Sequence, residues 1–73
     1  MEKMFKQYSA SQWKEGIDEW IIGRNAIRNR EILTKKIING VSFFDLSNEY
    51  GLSLKRIKTI VKTNAQWIID HFE

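Results

Sequence analysis

The chain reads as an all-α protein, a small bundle of about four helices, and three observations lead there. Its 73 residues contain no Pro. Apolar residues recur at intervals of three and four along most of its length, the spacing of one helix face. Gly23, Gly40 and Gly51 divide those stripes, and each is followed within two residues by Ser or Asn, so helix stops alternate with helix starts. So short a chain buries only about 60% of its unfolded surface, which limits it to one domain. At 42% hydrophobic with three Trp, four Phe and two Tyr, it has enough apolar surface to fold.

Residues 1–8 lack a clear period and are expected to form a flexible N-terminal arm, leaving 9–73 as the helical domain. Ser9 or Ser11 can cap the first helix, in which Trp13, Ile17, Trp20 and Ile21 make a stripe that Gly23 ends. Trp residues at this spacing belong to a core far more often than to a platform for stacking bases. Asn25 is placed to cap the second helix, with Ala26, Leu33 and Ile37 on one face, Ile27 and Ile38 beside them, and Gly40 at its end. Ser42 caps the third, over 43–50. The fourth starts after Ser53, and its stripe of Ile57, Ile60, Val61, Ala65 and Ile68 carries it on to Phe72, an unusual length.

The last two helices have the pattern of a helix-turn-helix, with the long C-terminal helix as the recognition helix. Ser47 is small enough to let the second helix approach, and Gly51 tolerates the positive φ that ends the first. Leu46, Leu52, Ile57 and Ile60 fill the wedge, and Ser53 caps the second helix. An ordinary two-helix hairpin would share these apolar positions. Charge favours the first reading, because residues 24–62 hold nine basic side chains against three acidic ones, a net +6, while the flanks sum to −1 and −2. Such concentration is the footprint of a phosphate-binding surface, although a solvated basic face has the same composition.

A recognition helix offers its first turn and the outward positions that follow to base edges. Here these are Ser53, Leu54, Lys55, Lys58, Thr59 and Lys62, with Arg56 to the side where phosphate is the expected contact. Lys55 and Lys58 can donate to guanine or phosphate, Thr59 can donate or present its methyl, and Leu54 offers only apolar contact. Ser42 and Ser53 head helices whose free amides can hold a phosphate. Arg30 lies beside the Leu33 and Ile37 stripe and is expected to be partly buried and paired with Asp45 or Glu49, in preference to a DNA contact.

The stretch from Ile17 to Lys62 resembles the helix-turn-helix of sigma-factor region 4, and more closely the short sigma-like proteins of phages and mobile elements in Gram-positive bacteria. Arg28-Asn29-Arg30-Glu31-Ile32-Leu33 is similar to the opening of the helix before that family's motif. Asn39-Gly40-Val41-Ser42 is similar to its turn, and Leu46-Ser47-Asn48-Glu49-Tyr50-Gly51-Leu52-Ser53 to its centre, with Ser47 where Ala is usual. No sigma region 2 accompanies it. The resemblance implies sequence-specific binding of double-stranded DNA and regulation of transcription, or a protein-interaction module that docks on RNA polymerase or another protein.

Other classes find no support in the residues. There is no Cys, hence no disulfide framework and no thiolate metal site, and His71 with its neighbour Asp70 makes neither a metal site nor a catalytic pair. No Gly-rich phosphate loop or paired nucleophile and base occurs, so an enzyme and a bound cofactor are not expected. No apolar run approaches a membrane span or a signal peptide, and a cytoplasmic protein is expected. Ile68, Ile69 and Phe72, with Trp67 adjoining, are expected either to pair two copies through the C-terminal helix or to be covered by the Trp13 and Trp20 helix.

Overall fold

Among residues 2–73, which the computed structural model describes, all regular structure is helical. The order is α1 (Glu2–Phe5), α2 (Ala10–Trp20), α3 (Ala26–Leu33), a π-helical turn (Thr34–Ile38), α4 (Phe43–Tyr50) and α5 (Leu54–Phe72). The four expected helices are α2 to α5. No helix among these residues is long and apolar enough to cross a membrane.

The segment before α2 does not stand off as an arm. Its one helical turn and the residues after it lay Met4, Phe5 and Tyr8 on the core, and the Trp13 indole N–H donates to the Phe5 carbonyl at 2.8 Å. Both Phe5 and Tyr8 meet the Trp13 ring edge-on, with centroids 6.4 and 5.7 Å away. These contacts run through single aromatic rings and leave no helical period in the sequence.

Ser9 begins α2 with a reciprocal box. Its hydroxyl accepts from the Gln12 amide, and the Gln12 side chain accepts from the Ser9 amide, which satisfies two amides left free at a helix start. Trp13, Ile17 and Ile21 are buried. Gly16 lets α2 lie directly on α5, since a Cβ there would fall 2.5 Å from Ile68 Cγ2. The result decides what covers most of this end of α5: α2 lies on Ile68 and Phe72, with Trp20 edge-on to Phe72 at 4.9 Å, and Ile69 is buried as well. Of the apolar residues expected to be spare, Trp67 alone is left exposed.

Two expectations for α3 are corrected. Asn25 occupies the N-cap position, but its side chain makes no capping hydrogen bond. Arg30 reaches neither Asp45 nor Glu49. Because Ile21 leaves the helix in an extended conformation, its carbonyl lacks a helical partner, and Arg30 Nη2 donates to it at 2.6 Å. Glu49 instead pairs with Lys35 at 2.6 Å. The stripe is also wider than its spacing suggested, since α3 packs on both α2 and α5. Ile32 is therefore buried beside Leu33, while Ile27 is 75% exposed. The helix continues into the π-helical turn, where the Asn39 amide bonds to the Thr34 carbonyl and the Val41 amide to the Lys35 carbonyl. Gly40, at φ 73°, ends it.

Candidate nucleic-acid interface

The candidate interface is built from α4, the three residues after it and the first half of α5. Ser42 starts α4 by accepting the Asp45 amide on its hydroxyl at 3.1 Å. Gly51 stops it in the left-handed region, at φ 65° and ψ 30°. Ser53, extended at φ −65° and ψ 155°, accepts the Arg56 amide at 3.0 Å and starts α5. Two helices are thus joined by a turn of three residues, with Leu46 and Ile57 fully buried between them and Ile60 at 6% exposure.

Ser47 does more than leave room. Its hydroxyl donates to the Leu52 carbonyl at 2.6 Å, while its own carbonyl accepts the Leu52 amide at 3.1 Å. The turn is tied from both sides by one residue. Small size suggested Ser47 in the sequence; the hydroxyl's bond across the turn is something an Ala at this position could not make.

With the turn fixed, the exposed side of α5 is determined. Ile57, Ile60, Val61, Ala65 and Ile68 face the core, so Leu54, Lys55, Lys58, Thr59 and Lys62 face out and line one shallow surface groove. Ser42, Ser53 and Arg56 are also exposed, Arg56 outside that groove. Among the described residues, Lys55, Arg56, Lys58 and Lys62 take part in no ion pair. The caps occupy one amide each in α4 and α5, and the other first-turn amides have no intrahelical partner. Lysine donors at i, i+3 and i+7, a threonine and one apolar residue form a set that can meet phosphates, guanine edges and a thymine methyl.

Spacing alone gave no role to Phe43 and Lys36. Two ammonium groups lie over the half-buried Phe43 ring, Lys36 Nζ at 4.3 Å and Lys58 Nζ at 5.9 Å from its centroid. Attraction of cations to the ring face holds Lys58 toward the start of α4 and brings Lys36, from the π-helical turn, to the same end. Lys36 also approaches Glu2 at 3.8 Å. Lys35 points elsewhere: its hydrogen bond to Glu49 pushes its pKa up and withdraws it from the basic surface. Burial pushes the Tyr50 hydroxyl up as well, and that hydroxyl donates to Glu31 at 2.9 Å.

Along the rest of α5 the surface changes character. Trp67, 48% exposed, donates its indole N–H to the Trp20 carbonyl at 2.9 Å and, with the exposed Ile22, lines a second open groove. His71 rests against Trp20 and Trp67 with Nδ1 2.8 Å from the Trp67 carbonyl. Comparison with protein families, with curated proteins and with solved structures finds nothing that matches this chain.

Proposed function

We propose that this protein binds double-stranded DNA by laying the first half of α5 in the major groove, and that it regulates transcription in the manner of the sigma region 4-like proteins it resembles. The observation that carries the reading is the stripe of Lys55, Lys58, Thr59 and Lys62, exposed and free of ion pairs on a helix whose opposite side is locked in the core. Fixed, unneutralised cations bind phosphate at little cost in side-chain pairing lost. Ser42 and Ser53 contribute the starts of α4 and α5, and Arg56 a flanking phosphate contact. A single small domain makes one groove contact, so pairing of two copies belongs to the same reading.

The test is salt dependence. Contact with about four to six phosphates makes the logarithm of the binding constant fall with log salt at a slope of roughly −4 to −5. A slope near zero would remove the DNA reading. Lys55→Glu combined with Lys58→Glu is expected to abolish binding and leave helicity unchanged, since both side chains are exposed. The second reading, docking on RNA polymerase or another protein, has in its favour the exposed Ile22 and Trp67, which DNA contact leaves open. It gains if duplex DNA fails to bind while the protein is folded.

A further inference from the structure

We infer that two copies of this chain pair through the exposed stripe of α5, antiparallel, about a two-fold axis at Gln66. The inference rests on the proposed pairing and names its surface, which is not the Ile68, Ile69 and Phe72 side, already packed within the fold.

Charge is the first argument. Lys62 and Asp70 lie on one stripe of α5, four residues either side of Gln66, and both are exposed. Among the described residues neither is in an ion pair. A two-fold axis at Gln66 sets Lys62 of each copy against Asp70 of the other, so the stripe complements itself, as an isologous contact requires; in the pair Lys62 leaves the phosphate-facing set, which keeps Lys55, Arg56 and Lys58. Asp70 sits in the last turn of α5, where the helix dipole disfavours a carboxylate. The Gln66 amide holds it with a bond of 2.9 Å, and a lysine from the second copy neutralises it.

Apolar surface is the second. Ile22, 74% exposed, and Trp67 line the same groove as Lys62, Gln66 and Asp70. At about 100° per residue, Trp67 stands about 100° to one side of Gln66, with Lys58 about 80° and Lys55 about 20° to the other. A two-fold axis keeps each side on its own side. Ile22 and Trp67 of one copy therefore meet their counterparts on one face of the pair, Lys58 of each copy points out of the opposite face, and Lys55 stands past the end of the second copy's α5.

Spacing is the third. Residue 55 lies eleven residues from Gln66, so at 1.5 Å per residue the two Lys55 backbones stand about 33 Å apart. Half-sites one turn of duplex apart are separated by about 34 Å.

Sedimentation equilibrium of the full chain at tens of micromolar tests the pairing. A dimer is expected, with Ile22→Glu monomeric and still helical by circular dichroism. Lys62→Glu and Asp70→Lys should each weaken association by at least about tenfold through like-charge contact, and the two together should restore it. A monomeric parent chain, or a double variant no better than either single one, overturns the proposal. Because the chain has no Cys, a spin label on Lys55→Cys reports the geometry, expected at about 33 Å between backbones; a distance under about 20 Å refutes the antiparallel pairing. The DNA reading fails separately. A monomeric Ile22→Glu that still binds a half-site duplex with a steep salt slope keeps that reading without the dimer, and a dimer blind to DNA does the reverse.

Discussion

Replacing Gly51 isolates the backbone requirement on which the candidate interface depends. Gly51 sits at φ 65° and ψ 30°, and a Cβ built on it meets nothing within 4 Å. Space is therefore no obstacle, and any destabilisation comes from the conformation alone. For an L-residue the left-handed region costs about 1 to 2 kcal/mol, and a β-branched side chain stands at the upper end or beyond it. Against this, losing glycine's freedom in the unfolded chain returns about 0.4 to 1 kcal/mol. Gly51→Val is then expected to lose about 1 to 2 kcal/mol, a fall in Tm of about 4 to 16 °C for a domain of this size. Gly51→Asn, which tolerates this region better, should lose clearly less. Urea and thermal unfolding followed by circular dichroism give the comparison. Equal stability of Gly51→Val and the parent would show that residue 51 does not hold a left-handed turn, and the placement of α5 against α4 would lose its basis.

Two further perturbations probe the frame around the site. Gly16→Ala gains about 1 kcal/mol in helix propensity but drives a methyl to 2.5 Å from Ile68 Cγ2, and overpacking costs about 1 to 3 kcal/mol; a net loss of about 1 kcal/mol by urea denaturation is expected, and a net gain would mean α2 does not press on α5. Alkali should destabilise the domain, because both Lys35 and Tyr50 titrate above their ordinary values of 10.5 and 10.0. Groups raised in this way contribute fully below the unfolded values and lose that contribution as pH climbs through the folded ones. The urea midpoint should therefore hold steady from neutrality and fall above about pH 10, less steeply in Lys35→Met; a Lys35→Met profile that superimposes on the parent's contradicts the assignment.

What the sequence made legible was local. Ser9, Ser42 and Ser53 cap and Gly51 turns because each acts on amides or dihedrals within a few positions of itself, and the α5 stripe is read directly from its period. Contacts set by the tertiary arrangement were hidden. Arg30 bonds to a carbonyl, a group every residue has, so no letter in the sequence marked Ile21 as its partner. Ile32 and Ile27 exchanged their expected importance because α3 is covered on two sides. The packing of residues 2–8 depends on three separate side chains finding Trp13 and the core, which leaves no periodic trace. At the candidate interface the exposed lysines were legible as the complement of the buried stripe, while the Phe43 ring that gathers Lys36 and Lys58 required the π-helical turn to be placed first.

The 19 residues of α5 make a rod about 28 Å long in a molecule whose longest dimension is 32 Å. Core and outward face alternate along that rod with no hinge between them. On the proposed reading, variation in what the protein recognises falls to a short alphabet of outward positions, beginning with Leu54, Lys55, Arg56, Lys58, Thr59 and Lys62, because a change at Ile57, Ile60 or Val61 would be spelled into the core. A library randomised at those positions alone should therefore yield folded proteins at high frequency.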